Sequence, residues 1–328
     1  MARLGMVLYH GIESGPELKR YGQTAEAAGF ESLWVTERYF HEETFSLLGF
    51  LAGVTQNIKL GVGVANPYTR HPALLAMAAA TLDRISGGRF LLGLGRSDEF
   101  VIQGRMGMPY HEPRATLTDA VAIIRQLLSG DSVTSTQGKF RLRDAGLAVQ
   151  PVQEKLPIYL AAIGPRALRL AGAAADGVLL NAYTPPAYAS YAVQEVRKAA
   201  AEAGRDPESV DIACMLVVRL TDDPSRIWPE LKQRLVRLLA EPEVGEILLE
   251  KGGFDPSILA PLRASADKDE GKGALHLITD EMVESFYLVG PAAHCRERIA
   301  RYRQAGVDLP LLLSRLEDFG PVARSLGA

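Results

Sequence analysis

The chain has 328 residues, of which 47% are apolar and 23% charged, with a formal net charge of -3. That composition belongs to a globular protein with a large core, and it excludes the concentrated basic face that nucleic acid or an anionic membrane surface requires. Cys214 and Cys295 alone cannot make a disulfide framework, and no segment approaches the roughly 20 apolar residues of a membrane span, so a cytoplasmic protein with no nucleic-acid or membrane partner is expected.

Residues 4–9 form the first continuous apolar run, followed by an amphipathic stretch at 16–28. The same couple recurs at 32–36 with 44–55, at 58–64 with 72–85, and at 90–95 with 114–128. Further runs lie at 158–162, 177–181, 210–218 and 309–313, with helical patterns at 165–174 and 186–203. Unbroken apolar runs are strands buried on both faces. Eight of them, each coupled to a helix, predict an α/β protein that is a (β/α)8 TIM barrel with insertions, a single domain over 1–328. A doubly wound open sheet is the alternative.

Two insertions break the rhythm. Residues 130–157 read as a hairpin, with 132–136 turning at Gln137-Gly138 into 139–142. Residues 221–291 hold helical patches near 227–239 and 279–288 and a polar run, SADKDEGKG at 265–273, expected to be mobile. This second insertion is a lid candidate, or a plain surface excursion.

The most telling stretch is LGVGVANPYTRHP, residues 60–72. Gly61 and Gly63 alternate with Val62 and Val64 at the exit of a strand, where missing side chains mark a sharp bend or a flat ligand lying against the backbone. We read a cofactor floor. In a barrel the working face is where strands end. There stand His10; Glu37, Arg38, Tyr39 and His41; Asn66, Tyr68, Arg70 and His71; Arg96, Ser97, Asp98 and Glu99; Ile163, Gly164, Pro165 and Arg166; and Asn181. Gly164-Pro165-Arg166 follows a strand and opens a helix, whose free N–H groups and dipole favour a phosphate that Arg96 could clamp. A Gly-Pro turn beside a solvated arginine fits the same residues.

Other chemistries fare worse. GLGRSD at 93–98 has an aspartate where the third glycine of a dinucleotide fingerprint belongs, and no HExxH, paired CxxC or GxSxG occurs, so no bound metal is expected. Cys214 reads as core.

The order GFESLWVTERY, IKLGVGVANPYTRHP, ATLDRISGGRFLLGLG and KLPIYLAAIGPRALRLAGAAADGVLLNA resembles the bacterial luciferase-like superfamily of flavin-dependent oxidoreductases. Within it the chain is most similar to the branch that uses the deazaflavin coenzyme F420, the methylenetetrahydromethanopterin reductase-like enzymes. The likeness is close over residues 4–181 and loose over the last third. It implies a non-proline cis bond at Gly63-Val64 behind the ring, Thr36 and Glu37 near the ring, and Asn66 in the ring's hydrogen-bond set. It also implies Gly95, Arg96, Ser97, Gly164, Pro165 and Arg166 around the phosphate, with Ile163 beside them. The chain departs from the branch in having Arg38 where histidine is common, Val7 where the reductases carry a carboxylate, and Arg96, which flavin mononucleotide (FMN) enzymes often share.

The resemblance thus implies an F420-dependent oxidoreductase that passes a hydride between the deazaflavin and a small organic substrate with a C=C, C=N or alcohol/carbonyl group. An FMN-dependent monooxygenase and a flavin-binding barrel without turnover are the alternatives. Glu37, His10 and His41 are the candidate proton donors. Glu37 could equally be an ion-pair partner of a neighbouring arginine, His41 a solvated surface group, and His71 a cap. Family helices often pair two subunits, so the alanines at 73, 76, 79 and 80 point to a homodimer or to a close contact within one chain.

Overall fold

The computed structural model describes residues 3–327. In chain order the elements are β1 (Gly5–Leu8), α1 (Gly15–Ala27), β2 (Ser32–Val35), α2 (Thr44–Val54), β3 (Lys59–Ala65), α3 (Pro72–Ser86) and β4 (Phe90–Leu94). After a π-helical turn at Phe100–Arg105 come α4 (Pro113–Leu128), β5 (Val133–Ser135), β6 (Leu142–Ala145), β7 (Ile158–Ala162), α5 (Pro165–Ala174), β8 (Gly177–Leu180) and α6 (Pro186–Glu202). The last third holds β9 (Asp211–Leu220), α7 (Trp228–Ala240), α8 (Val244–Gly252), α9 (Leu259–Asp269), α10 (Asp280–Phe286), β10 (Leu288–Gly290), α11 (Ala292–Gln304), β11 (Leu309–Leu313) and α12 (Leu316–Leu326).

Strands β11, β1, β2, β3, β4, β7, β8 and β9 pair in that order, all parallel, and β9 pairs with β11 to close the ring. The closure excludes the open sheet and makes the fold a TIM barrel. Proline at the first turn starts α3, α4, α5 and α6, where its missing N–H costs nothing. Gly87, at φ 69°, ends α3 in the left-handed conformation that only glycine adopts freely.

Two apolar layers result. Between strands and helices runs the large core, and inside the barrel Val7, Trp34, Leu91, Tyr159, Leu179, Ala213, Met215, Leu309 and Leu311 pack on the axis. Trp34 is fully buried, and a Cβ on Gly61 would lie 2.4 Å from its ring. Tyr159 meets Trp34 edge-on at 5.1 Å, and a Cβ on Gly177 would lie 2.3 Å from the tyrosine ring. Gly61 therefore makes room for an indole below the cleft rather than for a ligand, which corrects half of the floor read from the sequence.

The insertions differ from expectation in instructive ways. The hairpin forms, but β5 pairs with β6 from Leu142 onward, and 136–141 become its loop. Asp119 on α4 accepts the Lys139 N–H at 3.2 Å, and Phe140 packs edge-on against His71, so the tip docks on the barrel instead of extending the strand. The polar run at 265–273 continues α9 and then turns into the short 3-10 helix Lys272–Leu277, and α8 and α9 are helices that the apolar pattern did not reveal. No helix among the described residues is long and apolar enough to cross a membrane.

Candidate active site

At the C-terminal mouth β3 carries one extra residue against β4, since Val62 faces Leu92 while Ala65 faces Leu94. The peptide between Gly63 and Val64, inside this bulge, is cis. The neighbouring strand yields to it: a Cβ on Gly93 would lie 2.0 Å from the Val62 carbonyl oxygen, and one on Gly95 would lie 2.6 Å from Val64 Cγ2. In GLGRSD, Gly93 is there for this close approach of two backbones and Gly95 for the Val64 side chain. Over the bulge opens a cleft of about 920 Å3, within the range of cofactor sites.

From that floor the cleft runs past Gly95, Arg96 and Ser97 after β4 to Ile163, Gly164, Pro165 and Arg166 at the start of α5, with Asn181 after β8 on its flank. Gly164 caps α5 without a side-chain hydrogen bond, and a Cβ there would meet nothing within 4 Å. The first N–H groups of the helix thus border open space, the arrangement that holds anions. Arg96 and Arg166 are both exposed, and neither has a carboxylate at ion-pair distance among the described residues. Ser97 sits at φ 60°, its hydroxyl receiving the Tyr39 hydroxyl at 2.7 Å. Burial pushes the Tyr39 phenol up to about 12, so it remains a donor at neutral pH.

The sequence did not reveal the outer wall. Arg114 and Leu117 come from α4, and Glu243, Val244 and Ile247 from the start of α8 inside the long insertion. Only the fold brings the start of α8 to the wall of this cleft, so no local signal could have named these residues.

Five of the candidate catalytic and cofactor residues, Thr36, Glu37, Asn66, His10 and His41, lie outside that lining. Thr36, just past β2, has a buried hydroxyl with no partner. Glu37 gives one oxygen to Arg70 at 2.6 Å and leaves Oε2 buried and unpaired, and Arg70 also pairs with Glu43. The ion-pair reading of Glu37 therefore holds, with one acceptor left over. Asn66 is 1% exposed; Oδ1 accepts the Tyr68 and Thr69 N–H groups at 2.9 and 3.0 Å, and Nδ2 donates to Tyr39 and Thr69 at 2.6 and 3.1 Å. Its amide is saturated, so it fixes the turn after β3 and has nothing left for a ring, contrary to the expectation from the resemblance. His10 and His41 stack at 4.0 Å on the β1–β2 side, where the Tyr9 ring lies 4.1 Å from that of His10. Burial first, then the charges of His41 and Arg38, lower the His10 pKa. His71 caps α3 by accepting the Ala73 N–H.

The sequence model of the luciferase-like monooxygenase family matches residues 2–309. The chain belongs to the luciferase-like monooxygenase family. Its relatives include the 5,10-methylenetetrahydromethanopterin reductase of Methanolobus tindarius, 34% identical over 90% of both chains, and that of Archaeoglobus fulgidus, 33% identical over 90% of both. The solved coenzyme F420-dependent tetrahydromethanopterin reductase of Methanopyrus kandleri superposes with a TM-score of 0.85 at 27% identity, over 99% of this chain and 98% of that one.

As an enzyme of the luciferase-like superfamily, the chain is expected to hold a planar tricyclic cofactor with an anionic tail, and its residues fit one. The bulge at Gly63-Val64 offers a flat seat, the N-terminus of α5 is open to an anion, and the orphaned oxygens of Thr36 and Glu37 stand just past the end of the strand next to the seat.

Proposed function

We propose that this chain is a coenzyme F420-dependent oxidoreductase that transfers a hydride between the deazaflavin and a small organic substrate with a C=C, C=N or alcohol/carbonyl group. The observation that carries the reading is one continuous cleft joining the bulged Gly63-Val64 floor to the open start of α5 between Arg96 and Arg166. When bound, the deazaflavin supplies the hydride and its electron pair. Gly63 and Val64 would carry the ring, while Arg96, Arg166 and the helix N–H groups would hold the phosphate. Val244 and Ile247 would cover the cleft and keep water away.

Purified protein titrated with coenzyme F420 and with FMN, by fluorescence, tests this. An F420 preference of about tenfold or more, worth about 1.4 kcal/mol, is expected. The reading fails if FMN binds tighter by that factor or if neither binds. A second reading, an FMN-dependent monooxygenase, is favoured by Arg96, whose free guanidinium suits a doubly charged terminal phosphate.

A homodimer belongs to the same proposal, through a different face of α3 from the alanine stripe. Ala76, Ala79 and Ala80 are buried within the chain, whereas Leu74, Met77 and Ile85 stand 54%, 52% and 56% exposed. An apolar stripe of that exposure supports pairing with a second copy.

A further inference from the structure

The hydride donor sits on one side of the mouth in the proposed reading, and a substrate reduced there also needs a proton. The residues named from the sequence serve poorly. Glu37 is committed to Arg70, and His41 is exposed. On the β1–β2 side, however, Arg38 meets Tyr9, a residue that the sequence did not single out.

Side chains alternate along a strand, and Val7 and Trp34 point into the barrel. Tyr9 and Thr36, two residues further on, therefore stand above them on the inner side, and the pairing of Leu8 with Val35 sets them side by side. Arg38 Nη1 donates to the Tyr9 hydroxyl and the guanidinium lies 5.5 Å from the centre of the phenol ring. A phenol oxygen that accepts from a guanidinium keeps its own hydrogen free to donate elsewhere. Beside it the Thr36 hydroxyl is buried and has no partner. Arg38 has no carboxylate partner among the described residues, so its permanent charge stays uncompensated at this point.

We propose that Tyr9 is the catalytic proton donor, positioned by Arg38, and that the substrate it serves is a carbonyl compound, a ketone or aldehyde, or the matching alcohol in reverse. The inference rests on the F420 reading. The reduced deazaflavin gives a hydride to the carbonyl carbon and is oxidised by two electrons. The C=O π bond breaks toward oxygen, the Tyr9 O–H bond breaks, and the proton goes to that oxygen to give the alcohol. The phenolate left behind faces Arg38 and takes a proton back from water. Charge decides between substrates. Negative charge develops on the oxygen of a carbonyl as the hydride arrives, which a fixed guanidinium and a preorganised O–H stabilise, whereas a C=N substrate that reacts as a cationic iminium is repelled by Arg38.

The test first measures F420 affinity by fluorescence in the wild type, Tyr9→Phe, Arg38→Met and Arg38→Lys. Oxidation of reduced F420 is then followed with acetone, cyclohexanone, benzaldehyde and, as the C=N comparison, 1-pyrroline at neutral pH. Benzoate, whose carboxylate imitates the developing oxyanion, is titrated calorimetrically into each F420 complex.

The wild type is expected to reduce a carbonyl of the panel and not 1-pyrroline. Tyr9→Phe should lower kcat about 100-fold with little change in KM or F420 affinity, and Arg38→Lys should keep more of kcat than Arg38→Met. Benzoate affinity should fall about tenfold in Tyr9→Phe and in Arg38→Met. Unchanged kcat or unchanged benzoate binding in Tyr9→Phe overturns the inference, as does a wild type that binds F420 yet reduces only 1-pyrroline or nothing. A wild type that does not bind F420 refutes the parent reading, and this inference with it.

Discussion

Gly164→Ala separates binding from folding. The backbone there is extended, φ -93° and ψ 158°, which alanine adopts without strain, and the new methyl meets no protein atom within 4 Å. Alanine caps a helix less well than glycine, a loss of about 0.5–1 kcal/mol, or about 1–3 °C in melting temperature for a chain of this size. Because the residue lines the cleft, the methyl occupies the space through which an anion reaches the first N–H groups of α5. Losing one charge-assisted hydrogen bond costs about 1.5–3 kcal/mol, which is about 10- to 150-fold in affinity. Fluorescence titration with F420 and FMN, beside a thermal melt of the same samples, gives both quantities. A folded Gly164→Ala protein that binds both ligands within about twofold of the wild type would refute an anion site at this helix end.

Gly93→Ala should do the reverse and damage the fold, because its Cβ would stand 2.0 Å from the Val62 carbonyl; a loss of about 1–3 kcal/mol is expected in denaturant titration, and a wild-type midpoint would contradict the close approach. Acid stability should depend on Asp176. Burial alone would raise its carboxyl, but Arg125, Lys155 and the Ile158 N–H outweigh it and hold the pKa below 3.8. The unfolded chain then binds the proton more readily, so the group stabilises the fold above 3.8 and loses that contribution as pH falls through the lower folded value. Asp176→Asn should flatten the acid limb of a stability profile, and an unaltered limb would argue against it. Met77→Glu, on the exposed stripe of α3, should leave the melt unchanged and convert a dimer to a monomer in light scattering; a wild type that is already monomeric removes the pairing.

The barrel was legible because each of its strands is buried on both faces and so writes an unbroken apolar run, which the helices between them interrupt at regular spacing. The end of the cleft at Gly164 and Pro165 was legible as well, since a glycine and a proline between strand and helix are a local signal. What stayed hidden depends on partners distant in the chain. Gly61 looks like Gly63 in sequence, and only the structure shows that a Cβ on Gly61 would strike the Trp34 ring at 2.4 Å whereas one on Gly63, beside the cis bond, would meet Met215 at 3.0 Å. Asn66 looked available, but its four hydrogen bonds are taken up by Tyr68 and Thr69 of its own loop and by Tyr39 of the neighbouring one. Thr136 and residues 139–141 read as strand ends on either side of the Gln137-Gly138 turn, but Asp119 and His71 draw the tip onto the barrel. Tyr9 and Arg38 lie past the ends of successive strands, and nothing in either segment announces the other.

The indole and phenol rings that fill the axis shut the barrel from below, so the seat at Gly63 and Val64 can be reached only through the rim. Traffic through a single doorway has an order. A flat molecule resting on that seat would enter first and leave last, with whatever reacts with it coming in above it.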